Sequence, residues 1–222
     1  KHHLYGFKSV KGNFSTGEWL KFASKIINKC LSKNKTPIVV GGTGLYFKAL
    51  TEGLVEIPQI PKGFRDKVRK LQKKIGQSKF FDQLIKIDPL AKDLISSSDT
   101  QRAIRAYEVK KFTKKSIFIF RKETKPYFNS DDFKKIFINI PKNDLNNKIS
   151  LRTEQMFKKG AIDEVRNFLK LKIPEECISN KVLGISEISD YLSKKMNLVE
   201  TKDLIKLKTR QYAKRQFTWA RG

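Results

Sequence analysis

The sequence predicts an α/β fold, a parallel-sheet core interrupted by a helical insertion. Three observations predict it. Residues 38–40 (Ile-Val-Val) and 136–140 (Ile-Phe-Ile-Asn-Ile) are short apolar runs next to proline, the pattern of buried strands. The first run leads into Gly41-Gly42-Thr43-Gly44 and then a helical pattern, the strand–turn–helix rhythm of a parallel sheet. Between the two runs, residues 64–125 carry helical periodicity and no alternating strand.

Taken in order, Lys1 is not Met and no helix or strand signal precedes His2, so the chain is expected to begin inside a domain. Ser15 and Glu18 have capping-box spacing. Trp19, Phe22, Ala23, Ile26, Ile27 and Cys30 then keep a helical period, with Asn34 placed to close the helix. Residues 45–50 read as the next helix. Pro58 and Pro61 stiffen a linker, each restricting the residue before it. The insertion holds helical stretches at 64–75, at 80–87 and from Thr100, with turns starting at Asp88-Pro89. Lys125-Pro126 marks its exit. After the second run, helices are predicted near 145–159, 162–171, 186–194 and 201–221. The expected division is therefore 1–63 (core), 64–128 (helical insertion) and 129–222 (core continuation).

The 222 residues are 39% hydrophobic, enough to bury a core. The net charge of +26 comes from 48 basic and 22 acidic residues and suits a polyanionic partner. Lysine supplies 38 of the basic residues, and part of that excess is compositional, because Ile and Asn are abundant as well. The ten arginines are more selective: five fall in residues 101–108 and 209–221. A planar guanidinium recognises phosphates and bases in a way an ammonium cannot. Cys30 and Cys177 stand apart with no zinc spacing, and His2-His3 are too few for a metal site. No apolar run is long enough for a membrane span and no signal peptide is visible, so a cytoplasmic protein is expected.

Three segments are candidates for function. Gly41-Gly42-Thr43-Gly44 sits where parallel sheets place ligands, with a hydroxyl on Thr43; a purely structural turn is the competing reading. It is not a Walker A loop. Asp99 is a good N-cap, and behind it Arg102 and Arg105 share one face near a helix start, where cations are unfavourable without a bound anion. Surface arginines beside Asp99 and Glu108 are the alternative. On the last helix, Lys206, Arg210, Lys214 and Arg221 fall within an arc of roughly 80°. Aromatic side chains lie nearby, so the stripe is either an RNA-backbone contact or a solvated face.

Together these segments resemble the bacterial tRNA dimethylallyltransferase (isopentenyltransferase) family. The matches are the ten residues from Gly41 to Leu50, the eleven from Asp99 to Val109, and the thirteen from Thr209 to Arg221. His2-His3-Leu4 and Arg152, Met156, Gly160, Glu164 and Val165 add weaker support. The resemblance implies a P-loop-type core and a defined reaction. A dimethylallyl group moves from dimethylallyl diphosphate, with Mg2+, to N6 of the adenosine 3′ of the anticodon. The partner is a tRNA anticodon stem-loop and the enzyme is expected to be a monomer. By position, Thr43 lies in the reaction channel and touches tRNA. Arg65, Gln101, Arg102, Ala103, Ile104, Arg105, Arg210, Lys214, Arg215, Gln216, Phe217, Thr218, Trp219, Ala220 and Arg221 match the tRNA-binding stretches.

Two departures qualify this. No GxxxxGK[ST] occurs in the 222 residues. The family's P-loop, its magnesium ligands and its general-base aspartate would precede residue 1, so this segment alone is expected to be inactive, with apolar surface exposed at 38–40 and 136–140. Also, Gly184-Ile185-Ser186-Glu187 stands where the family has Gly-Tyr-Arg/Lys-Glu. The competing readings are an adenylate isopentenyltransferase acting on a free nucleotide and a non-catalytic RNA-binding relic of the family.

Overall fold

The computed structural model describes residues 1–12, 14–175 and 177–221; Gly222, which closes the third expected segment, lies outside them. Its helices are α1 (Thr16–Leu31), α2 (Gly44–Glu52), α3 (Lys62–Ile75), α4 (Gln77–Ile87), α5 (Ala91–Leu94) and α6 (Thr100–Thr113). They continue with α7 (Ile117–Lys122), α8 (Lys142–Lys158), α9 (Ala161–Lys170), α10 (Ile185–Leu192) and α11 (Leu198–Arg221).

Local chemistry explains where these begin. The Ser15–Glu18 capping box forms: Ser15 Oγ accepts from the Glu18 N–H at 3.1 Å, and a Glu18 carboxylate oxygen accepts from the Ser15 N–H at 3.0 Å. The Ser15 N–H bond first, and then a bond of 3.1 Å from the Ser15 hydroxyl to the same carboxylate oxygen, hold the Glu18 carboxyl below its usual range. Asp99 caps α6 by accepting from the Arg102 N–H at 3.0 Å. Gly184 precedes α10 at φ 102°, a conformation that favours glycine, and its N–H donates to Glu187 at 2.9 Å.

One expectation, the parallel-sheet core, is not met by the described residues. Among the described residues there is no strand. Ile38 and Val40 are 83% and 76% exposed, and Ile136 and Ile138 are each 78% exposed. The physical reason is that a strand exists only as one side of a hydrogen-bonded ladder, and an apolar run does not create its partner. Sequence pattern reports the wish to be buried, and here the burial is unmet.

The chain divides into two compact units. One comprises Lys1–Phe47 with Asp131–Gly222, the other Lys48–Ser130. The second is a helical core in which Val68 of α3, Phe80, Phe81 and Leu84 of α4, Ala91 of α5 and Ala103, Ile104, Ala106 and Tyr107 of α6 close on one another. The Phe80 and Tyr107 rings lie 4.9 Å apart, and Phe80 is fully buried. Burying such a ring contributes about 1.5–3 kcal/mol. In the first unit Ala161, Val165, Ile188 and Ile205 join α9, α10 and α11, with Met156, Phe157 and Ile185 packed around them.

Candidate nucleic-acid interface

Each unit carries a group of candidate residues, and each group is built by its own helices. In the helical unit, the α6 register puts Ala103 and Ile104 inside the core and leaves Gln101 and Arg102 exposed, with Arg105 half-buried. The stretch 101–105 therefore presents only Gln101, Arg102 and Arg105 outward, while Ala103 and Ile104 anchor the helix. Arg102 pairs with Asp99 at 3.4 Å, and Arg105 with Glu108 at 3.4 Å. Arg65 comes from α3 and reaches the same Glu108, its Nε 3.7 Å from Oε2. Two helices thus bring Arg65 and Arg105, forty residues apart in sequence, onto one carboxylate oxygen.

In the other unit, the C-terminal part of α11 lies against the glycine turn. Gln216 Nε2 donates to the Gly42 carbonyl at 3.1 Å, and the Trp219 ring stacks with Phe47 at 6.2 Å between centroids. A side-chain carbon at Gly42 would collide with Gln216, and one at Gly44 with the Trp219 ring, whereas Gly41 has open space. Gly44 thus leaves room for the Trp219 ring of an approaching helix, while at Gly42 the neighbour is the movable end of Gln216; the sequence left this turn open between a ligand cradle and a structural turn. The Thr43 carbonyl accepts from the Tyr46 N–H at 2.9 Å at the start of α2, and its side chain is exposed. Phe217 packs edge-on against Phe137 at 5.2 Å.

With Gln216 and Trp219 facing the turn, helical geometry directs Arg210, Lys214 and Arg221 to the opposite side; all three are exposed, as are Arg215 and Thr218. Ala220 is half-buried. Arg221 lies over the Phe217 ring at 5.8 Å and Arg215 over Tyr212 at 5.8 Å, cation–π contacts that hold the guanidiniums on the surface. Lys206 does not belong to this exposed group. Only 19% of its side chain is exposed, and it pairs with Glu154 at 3.0 Å and Asp203 at 3.6 Å. Its pKa is raised chiefly by the Glu154 hydrogen bond, and the hydrogen bonds from Lys202 and Lys206 lower that of Glu154. The sequence placed Lys206 in the stripe by angle alone, and angle does not report a carboxylate on a neighbouring helix.

At the departure from the family pattern, Ile185 packs into the core and Ser186 is exposed. Glu187 is buried and forms an ion pair with Lys208. Burial alone would raise its pKa, but the Lys208 hydrogen bond and the N–H donors around Gly184 outweigh that and lower it. No cluster of three or more His, Cys, Asp or Glu that could hold a metal occurs among the described residues. No described helix is long and apolar enough to cross a membrane.

A family model described as IPP transferase matches residues 1–222. The chain is 52% identical over 221 residues to a tRNA dimethylallyltransferase of Pelagibacter ubique, covering all of this chain and 71% of that protein. It is 41% identical over 219 residues to one of Rickettsia canadensis, covering 98% of this chain and 67% of that protein. The structure of a full-length tRNA isopentenylpyrophosphate transferase from Bacillus halodurans superposes with a TM-score of 0.64 at 29% identity, over all of this chain and 68% of that one. A eukaryotic dimethylallyltransferase acting on tRNA superposes with a TM-score of 0.75 over 95% of this chain and 53% of that one; at 22% identity this is a likeness of fold.

Proposed function

The chain belongs to the IPP transferase family, and on that premise we propose that it prenylates tRNA, placing a dimethylallyl group on N6 of the adenosine 3′ of the anticodon. In this reading the donor is dimethylallyl diphosphate. The C1–O bond to the diphosphate breaks, a C1–N6 bond forms, and the amine loses a proton. An adenine inside a stacked anticodon loop is reached by flipping it out, which requires that the stem be held while the base moves.

This chain's own residues supply the holding. Gln101, Arg102, Arg105 and Arg65 are the contacts of the helical unit, and Arg210, Lys214, Arg215, Thr218 and Arg221 those of α11. The single observation that carries the reading is that both arginine-bearing motifs turn cationic side chains outward, while Ala103 and Ile104 are buried in the helical core and Trp219, itself still exposed, stacks on Phe47. Thr43 stands exposed on a turn fixed by Gln216, suited to meet the extruded base. Residues 38–40 and 136–140 act as parallel-sheet strands once paired with a further segment, which accounts for their exposed apolar side chains. Magnesium is expected with the diphosphate, and the described side chains provide no ligand set for it. The protein works as a cytoplasmic monomer.

The test is a choice of acceptor. Full-length protein with labelled dimethylallyl diphosphate and magnesium is offered an anticodon stem-loop and, separately, AMP. Label in the stem-loop supports the reading; label in AMP alone assigns the protein to free-nucleotide chemistry.

A further inference from the structure

We propose that Glu108 is a positioning residue for tRNA recognition, holding Arg65 of α3 and Arg105 of α6 as a single phosphate-binding fork. The proposal rests on the reading of the helical unit as a tRNA contact.

Glu108 lies among apolar neighbours on α6: Ala106, Tyr107 and Val109 are all buried, and its own side chain is 2% exposed. A carboxylate in such a place is costly and contributes little to stability compared with an apolar side chain of its size. What it does instead is visible in its contacts. One oxygen, Oε2, meets Arg65 Nε at 3.7 Å and Arg105 Nη1 at 3.4 Å. The arginine side chains are 44% and 42% exposed, so each guanidinium has one edge on the carboxylate and other N–H groups toward solvent. Anchoring a long side chain before binding removes rotamer freedom that would otherwise be lost on contact with RNA.

Two polar atoms of this cluster are buried without a hydrogen-bond partner: Glu108 Oε1 and Arg65 Nε. They lie on the two partners of one ion pair, although Arg65 Nε faces Oε2 and the unmet oxygen is Oε1. A native protein seldom leaves such groups unmet without a reason, and a clamp that closes fully when the outer guanidinium edges engage a phosphate supplies one. The fork keeps a net single positive charge, two guanidiniums against one carboxylate.

That charge balance makes the test a matter of sign. Glu108→Gln keeps the size and removes the negative charge. If Glu108 were only a charge near the RNA, its neutralisation would tighten polyanion binding. As a positioning residue, it should instead weaken binding of an anticodon stem-loop by about tenfold, the scale of one charge-assisted hydrogen bond. The double-mutant cycle separates this from loss of folding. In full-length protein carrying Arg65→Ala and Arg105→Ala, Glu108→Gln should cause no further loss, since nothing remains to position. Unchanged or tighter binding by Glu108→Gln, or an equal loss in the arginine-free background, overturns the proposal. Unchanged stem-loop binding by the Arg65→Ala, Arg105→Ala protein overturns the tRNA reading of this unit, and the positioning role with it.

Discussion

Gln216 donates from Nε2 to the backbone carbonyl of Gly42 across 3.1 Å, tying the last helix to the glycine turn that carries Thr43. Two motifs separated by more than 170 residues are thereby one structure. The turn is shaped by α11, and α11 keeps its cationic side outward because its Gln216 and Trp219 side faces the turn.

Gly44→Ala should therefore be costly. The added methyl must displace the Trp219 ring, and overpacking of this kind costs about 1–3 kcal/mol. Thermal unfolding should show the loss, and Gly41→Ala, which meets open space, should show much less.

Thr43→Val tests the hydroxyl rather than the turn. Prenyl transfer should fall more than stem-loop affinity, because the cationic surfaces are untouched. Parallel turnover and filter-binding assays check it, and equal losses would make Thr43 a structural residue only.

Within α6, Arg102→Ala with Arg105→Ala should weaken stem-loop binding at least tenfold, by the scale of charge-assisted contacts to phosphate, and leave diphosphate affinity nearly unchanged. Inhibitor titration with a non-hydrolysable diphosphate measures the second quantity.

On α11 the two lysines should separate. Lys214 is exposed, so Lys214→Ala should flatten the log–log salt dependence of stem-loop binding by roughly 0.7–0.9. Lys206 is held by Glu154, and Lys206→Ala should leave that slope unchanged while loosening the α8–α11 junction.

The same junction sets a pH dependence. Glu154 has a depressed pKa in the fold, so its contribution is present above the unfolded carboxylate pKa and is lost as pH falls through the folded value. Lys206 is raised, so its contribution is full below its unfolded pKa and lost only in strong alkali. The pair is intact across neutral pH and fails in acid. The difference in melting temperature between the wild-type chain and Glu154→Gln should shrink as pH drops below the carboxylate range; because the pair is partly exposed, the difference is small.

Much of the helical architecture was legible because its signals are local. Ser15 to Glu18 and Asp99 state their caps in three or four letters, and residues 64–75 read as a helix from their local pattern, as α3 proves to be. The strands were not legible as structure, since the pattern at 38–40 shows apolarity but not a ladder partner. The candidate surfaces were legible as arginine windows. What the windows hid was partnership across helices: Lys206 with Glu154, and Arg65 with Glu108, are pairings that only the packed fold brings together.

The account's central claim is that the α6 and α11 arginine surfaces are where tRNA is held. Amide hydrogen exchange of the full-length protein, with and without a saturating anticodon stem-loop, measures this directly. The account predicts slowed exchange in peptides spanning residues 100–108 and 210–221, together with the turn at 41–44. Protection confined to other segments, with these peptides exchanging at their free rates, would contradict it.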